Sequence, residues 1–185
     1  KVPGKLWYFG CTLIESQPRI RHYIDCDFGR TPETFREKEL LETYKSFRPE
    51  DWSGVWNPPT VVHRDIWDLV GGYSVGMASD PDFNAKLWMA GVRIFKGVGR
   101  SLVYHFKSVS VNRIVKNDGP GQFLRKWGLT IRAFGQQILH YDQPWREKPA
   151  FNRATLRKER IRCSLKNFIR FFKNPKAPRV WDNLE

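Results

Sequence analysis

The sequence predicts an α/β fold that ends in a basic helical extension. Three observations support the fold class. Short segments rich in β-branched and aromatic residues alternate with segments whose apolar residues recur at helical spacing, and Gly or Pro residues separate the two kinds of segment. The third observation is composition, because 185 residues with 41% hydrophobic content, including 8 Trp and 13 Phe, can bury a core and exclude a disordered chain.

The first part of the chain contains two predicted strands and one predicted helix. The strands are residues 6–15 and residues 20–24, the second of which alternates apolar and polar residues. The helix covers residues 31–47, with Thr31 as its N-cap and Pro32 in its first position. Its inner face is expected to hold four apolar side chains: Phe35, Leu40, Leu41 and Tyr44.

Two more helices are predicted in the middle of the chain. The first is short and ends at Gly71, because a Gly pair supplies the backbone freedom that a helix C-cap needs. The second has Ser79 or Asp80 as its N-cap and Pro81 in its first position, and it ends at Gly91.

Asp80 and His105 are the candidate site residues of this stretch. Asp80 is a carboxylate in a turn, and His105 follows the second of two short predicted strands, residues 92–95 and residues 102–104. Each also has an ordinary structural explanation, because an Asp before a Pro is a common N-cap and a single His after a strand is commonly structural.

Residues 55–130 resemble the C-terminal half of the catalytic domain of family 2 glycosyltransferases, which have the GT-A fold. The matching motifs are, in order, Val70-Gly71-Gly72-Tyr73, a turn with Asp80 and Asp82, a helix ending in Ala90-Gly91, and Val103-Tyr104-His105. The resemblance implies a GT-A-like mixed sheet with flanking helices. The chain departs from the family at one position, because the family's Glu-Asp pair is here Ser79-Asp80.

The resemblance further implies transfer of a sugar from a nucleotide-sugar donor to a hydroxyl of a glycan or lipid-linked acceptor, with inversion at the anomeric carbon. Asp80 would be the general base that takes the acceptor proton. Mn²⁺ or Mg²⁺ would offset the charge that builds on the departing diphosphate, with His105 as a metal ligand. Trp56 either stacks on a sugar ring or covers the core. In all, substrate contacts are assigned to four residues: Asp82, Trp56, Gly72 and Trp127.

Residues 122–127 are similar to the Gln-any-any-Arg-Trp motif of processive family members, with one departure. Lys126 stands between Arg125 and Trp127. One residue turns a helical side chain by about 100°, so Trp127 is interpreted as packing or as a wall of the acceptor site. The helix that begins with this motif is predicted to continue through residues 129–139.

Asp25-Cys26-Asp27 matches the Asp-any-Asp pattern that binds metal and nucleotide in this enzyme class, which makes Asp25 and Asp27 candidate metal ligands. A nucleotide site needs several strands and helices before it, and only 24 residues precede Asp25. The favoured interpretation is a solvated end of a middle strand, with the donor-binding half outside this chain. The chain does not begin with Met, and we expect it to be an incomplete enzyme by itself.

The chain is divided into a GT-A-like region, residues 1–140, and a basic helical extension, residues 141–185. Within the extension, residues 152–173 carry eight Lys or Arg against one acid. Such a helix either lies on an anionic membrane or docks on its own domain, and the sequence leaves both open. Its predicted apolar stripe consists of Leu165, Phe168, Ile169 and Phe172.

The net charge of +13 predicts anionic partners. The alternative function is therefore a basic module that binds a membrane surface or nucleic acid without catalysis, although the absence of a recognised nucleic-acid-binding motif disfavours nucleic acid. The three cysteines are scattered and indicate no zinc site or disulfide scaffold, and no signal peptide is visible. We expect a cytoplasmic location, with peripheral binding at the inner membrane face left open.

Overall fold

Strand β1, Trp7–Ile14, contacts three other strands of a mixed sheet. The computed structural model describes residues 4–16, 22–56, 59–74, 78–106 and 118–171. Within these residues the strand order is β2-β1-β5-β3, with β4 paired to β1 outside this path. The remaining strands are β2 (Tyr23–Ile24), β3 (Trp52–Ser53), β4 (Thr60–Val62) and β5 (Ile94–Tyr104). The α/β prediction is confirmed at this level, with a mixed sheet and flanking helices.

The directions of the strands decide which residues meet at the sheet edge. β1 is parallel to β2 and to β5, whereas β4 and β3 run antiparallel to β1 and β5 respectively. The parallel partners of Ile14 are Ile24 and Tyr104. The three parallel strands therefore end side by side.

β5 is one strand, and the prediction of two short strands separated by glycines is wrong. Gly97 lies inside the strand because the Trp52 ring packs against it, so closely that a Cβ on Gly97 would fall 1.9 Å from the ring. A bulge follows, because Cys11 pairs with Val98 while Thr12 pairs with Leu102. The glycines here permit close packing and a bulge without ending the strand.

The predicted helix at residues 31–47 is broken into three pieces. A 3₁₀ turn, Pro32–Thr34, follows Thr31 as predicted, but Phe35 is extended. The helix α1, Glu37–Thr43, is separate, and a second 3₁₀ turn, Tyr44–Ser46, follows it. The predicted inner face is also wrong: Leu41 and Tyr44 are exposed, and no residue of α1 is buried.

Helices α2, Arg64–Val70, and α3, Ser79–Met89, flank the sheet. α2 ends at Gly71 in the left-handed conformation, as predicted. α3 begins earlier than predicted, with Ala78 in the N-cap position, so Asp80 is not an N-cap and Pro81 is not the first helical residue. The N-cap explanation for Asp80 is therefore excluded.

The helices after residue 117 also differ in their bounds from the prediction. α4, Gly119–Trp127, starts three residues earlier, because the Asp118 side chain accepts a hydrogen bond from the Gly121 N–H at 3.0 Å. Gly128 ends α4 in the left-handed conformation. The predicted continuous helix over 129–139 is instead α5, Ile131–Ala133, and a π-helical turn, Phe134–Ile138.

Helix α6, Arg153–Phe171, confirms the predicted C-terminal helix and packs on α4. Asn152 caps it by accepting a hydrogen bond from the Thr155 N–H at 3.0 Å. Leu156 and Cys163 join the same hydrophobic core as the sheet and the other helices. The boundary at residue 140 stays a prediction. The strand or linker predicted at residues 106–115 lies outside the described residues, apart from Phe106.

Among the described helices, none combines the length and the apolar character needed to cross a bilayer.

Candidate active site

The first turn of α3 carries two aspartates in opposite environments. Asp82 is fully buried, and its Oδ1 accepts hydrogen bonds from Lys126 Nζ and from Trp127 Nε1, both at 2.8 Å. Lys86 Nζ lies 3.9 Å from Asp82 Oδ2. Asp82 therefore joins α3 to the C-terminal end of α4.

Burial by itself would raise the pKa of the Asp82 carboxyl, but the hydrogen bonds from Lys126 and Trp127 lower it below the ordinary value. Asp82 is thus ionised, and its charge is neutralised within the protein. A second buried contact fixes the same turn, because Asn84 Nδ2 donates to the Val55 carbonyl at 2.6 Å. The start of α3 is held firmly on two sides.

Asp80 lies half-buried two residues before Asp82, and burial raises the pKa of its carboxyl above the ordinary value of 3.8. Asp80 acts electrostatically on Tyr8 of β1: burial is the main cause that raises the pKa of Tyr8, and the charge of Asp80 adds to it. The Tyr8 hydroxyl donates to Thr60 Oγ1 at 3.0 Å. Asp80 is a carboxylate with increased basicity on a rigid helical turn.

A second group of titratable residues lies where the parallel strands end. Glu15 follows β1, Asp25 follows β2 and His105 follows β5. Glu15 is buried, and its carboxylate contacts His105 Nδ1. The His105 N–H donates to the Ile14 carbonyl at 3.1 Å. We call Glu15, Asp25, Asp27 and His105 the strand-end group.

The loop after β2 orients Asp27 by local hydrogen bonds. Asp27 Oδ1 accepts from the Gly29 N–H at 2.8 Å, and this bond is the main cause that lowers the pKa of the exposed Asp27 carboxyl. The Tyr104 hydroxyl accepts from the Phe28 N–H at 3.0 Å, and the Phe35 ring stacks on the Tyr104 ring. The loop is therefore attached to the end of β5, beside His105.

The strand-end group does not amount to a metal centre in this structure. Asp25, Asp27 and His105 are exposed, and among the described residues no set of three or more His, Cys, Asp or Glu side chains is arranged to hold an ion. The expectation that the Asp25 strand is in the middle of the sheet is also wrong, since β2 is at one end of the strand order. The Mn²⁺ or Mg²⁺ cofactor stays a prediction.

The aromatic candidates are placed differently from one another. Trp127 is buried and its indole N–H is used by Asp82, which favours packing over the acceptor wall. Trp56 is half-buried and stacks on Tyr141 with ring centroids 4.2 Å apart. Its ring also fills the space where Gly135 has no side chain. Trp56 is thus packed against Tyr141 and Gly135, and part of its surface stays exposed.

Gly72 has a structural reason to be glycine. It has a positive φ of 60°, and a Cβ there would lie 2.8 Å from the Trp67 ring. Its carbonyl accepts a hydrogen bond from Lys86 Nζ at 2.9 Å. Because Lys86 also faces Asp82, Gly72 is tied to the anchored turn rather than to the strand-end group.

The sequence analysis missed two residues of these sites. Glu15 was only the last residue of a predicted strand, although its position directly after an apolar run matches that of Asp25 and of His105. In the sequence Lys126 is only a departure from a motif, but in the structure it is a partner of Asp82, which lies 44 residues earlier in the chain. No local pattern indicates that pairing.

The structure brings Glu15, Asp25 and His105 to one sheet edge and places Asp80 elsewhere. Tyr8 and Glu15 are seven residues apart on β1, or about 23 Å along an extended strand. None of the contacts described for Asp80 reaches the strand-end group. The predicted base and the predicted metal ligands thus form two separate regions.

Comparison of the chain with protein-family profiles, with curated proteins and with solved structures finds no match in any of the three. The assignment of function therefore depends on the geometry of the site and on the motif resemblance.

Proposed function

We propose that the protein transfers a sugar from a nucleotide-sugar donor to an acceptor hydroxyl with inversion, and that Asp80 is the general base. One observation carries the proposal: Asp80 is half-buried, with its pKa raised by burial, on a turn that Asp82 anchors. Enzymes tune a general base in this way, by moving its pKa toward the working pH. The GT-A-like arrangement of motifs around Asp80 supports the same proposal.

In this reaction the acceptor oxygen attacks the anomeric carbon from the face opposite the diphosphate. The acceptor O–H proton passes to the Asp80 carboxylate as the new C–O bond forms. The bond from the anomeric carbon to the diphosphate oxygen breaks, and the nucleoside diphosphate leaves with that electron pair. Attack from the opposite face inverts the anomeric configuration.

Asp82 serves as a positioning residue for this base. Its bonds to Lys126 and Trp127 hold the first turn of α3 against α4. A fixed turn matters because a general base must stay within hydrogen-bond reach of the proton it removes. Trp56 is half-buried and stacked on Tyr141, and its exposed part would contact the acceptor sugar.

The test is the Asp80→Asn variant of the full-length protein, assayed for release of nucleoside diphosphate from a panel of nucleotide sugars. Asn keeps the shape of the side chain but cannot accept the proton, so kcat should fall by about 100-fold or more. The matched control is Asp68→Asn, which changes an exposed aspartate paired with Arg64 on α2. Equal turnover in both variants and the wild type would remove Asp80 from the mechanism.

A further inference from the structure

Helix α6 has one face that is buried against the protein and one face that is exposed. Leu156, Cys163 and Asn167 are buried against the rest of the protein. At about 100° per residue, these three positions lie on one side of the helix. The opposite side of α6 carries exposed residues.

The open side carries an apolar stripe, which consists of Ile161, Leu165 and Phe168. Their side chains are 55%, 73% and 64% exposed. The positions i, i+4 and i+7 place them within about 60° of one another around the helix axis. The predicted stripe is thus present at Leu165 and Phe168, whereas Ile169 and Phe172 have no described side-chain positions.

Basic residues border the apolar stripe on both sides. At the same angular spacing, Arg153 and Arg157 lie on one border, and Lys158 and Arg162 lie on the other. The one acid of the helix, Glu159, is on a different side from the stripe and pairs with Arg162 at 3.5 Å. An apolar stripe between two rows of cations is complementary to an anionic phospholipid surface. The acyl chains would contact the stripe, and the anionic headgroups would contact the basic residues on either side.

We propose that α6 binds the surface of an anionic phospholipid bilayer, lying parallel to it with Ile161, Leu165 and Phe168 inserted at the level between headgroups and acyl chains. The docked face stays on the protein, so binding needs no unfolding of α6. A polynucleotide would use the cations but gains little from a continuous apolar stripe, since its affinity comes mainly from phosphate contacts. The bilayer uses both features.

This proposal is independent of the sugar-transfer proposal, because vesicle binding needs no turnover. The experiment is co-sedimentation of the full-length protein with phosphatidylcholine vesicles that contain either no phosphatidylglycerol or about one-third phosphatidylglycerol, a composition chosen to approximate an anionic leaflet. The test variant is the double substitution Leu165→Gln with Phe168→Gln. The matched control is Leu69→Gln, which changes a 65% exposed leucine on α2.

We expect the wild type and Leu69→Gln to bind the anionic vesicles, and the double variant to bind at least about tenfold more weakly, since two apolar side chains are lost from the contact. Replacing Arg157 by Gln should weaken binding about fivefold, the value of one charge near the surface. Circular dichroism should show the same helix content in all variants, because every altered side chain is exposed.

Three results would overturn the proposal. The first is equal binding to neutral and anionic vesicles, and the second is equal loss of binding in the control and the double variant. The third is binding to a random oligonucleotide that exceeds vesicle binding and is unchanged in the double variant, which would assign the basic surface to nucleic acid instead.

Discussion

The first turn of α3 and the strand-end group both concentrate carboxylates, but they do so in opposite ways. In α3, Asp82 is fully buried and neutralised by Lys126, and Asp80 beside it is half-buried with a raised pKa. At the strand ends, Asp25 and Asp27 are exposed. The α3 turn is organised by the protein itself, whereas in the strand-end group only Glu15 and His105 are in contact, and the exposed Asp25 and Asp27 would need a ligand to draw them toward that pair. A rigid position suits proton transfer, and exposed oxygens suit an ion or a phosphate that arrives with its own ligands.

The largest effect is expected at Asp82. Replacing Asp82 by Ala removes a buried carboxylate and leaves Lys126 without its partner, so the free energy of unfolding should fall by about 3 kcal/mol. Urea denaturation measures this loss. The double variant with Lys126→Met should recover part of it, because the unpaired charge is then absent.

The control for this prediction is Asp68→Ala, which removes an exposed carboxylate paired with Arg64 and should cost less than about 1 kcal/mol. If the two aspartates cost the same, the α3 turn is not organised by its buried carboxylate and the contrast between the regions fails.

A weaker effect is expected at the strand ends. His105→Ala should weaken Mn²⁺ binding about tenfold, measured by calorimetric titration of the protein with Mn²⁺. Glu15→Gln tests the same point through the residue that contacts His105 Nδ1. An unchanged metal titration in both variants would show that the strand-end group holds no ion.

The smallest effect is the pH dependence of stability, and its sign differs between the two aspartates. The lowered pKa of Asp82 stabilises the fold above the ordinary carboxyl pKa, and this contribution is lost as the pH falls through the lower, folded value. The raised pKa of Asp80 acts in reverse: as the pH falls through its folded value, protonation of Asp80 favours the folded state.

Urea denaturation of the Asp80→Asn and Asp82→Asn variants over the acidic range separates the two contributions. We expect stability in the Asp80→Asn variant to fall more steeply with acid than in the wild type, and stability in the Asp82→Asn variant to fall less steeply. The same slope in both variants would mean that the two carboxylates have equal environments.

Local patterns in the sequence were sufficient for the elements whose bounds depend on their own residues. Three such elements are confirmed: the strand at 6–15, the helix that ends at Gly71 and the basic helix α6. Each was predicted from a signal inside its own segment, namely strand alternation, a left-handed glycine and helical periodicity respectively. The predicted break in β5 was wrong because Gly97 makes room for the ring of Trp52, a residue that is distant in the sequence.

The candidate sites also depend on partners that are distant in the sequence. Asp80 and His105 could be selected from motif order, but the partners that define their environments could not. Lys126 and Trp127 reach Asp82 from the following helix, and Glu15 reaches His105 from 90 residues earlier. The break after Thr34 was missed for a similar reason, since Phe35 leaves the helix to stack on Tyr104.

The burial of Cys163 has a practical consequence for the study of α6. A thiol that is 1% exposed reacts with an alkylating reagent only when the helix lifts from the protein. The alkylation rate of Cys163 therefore reports how often α6 detaches from the protein. Peptide mass spectrometry separates its labelling from that of Cys11 and Cys26. Slow labelling of Cys163 in the presence of anionic vesicles would show that α6 binds lipid while it stays packed on the protein. Fast labelling would show that α6 detaches from the protein when it binds lipid.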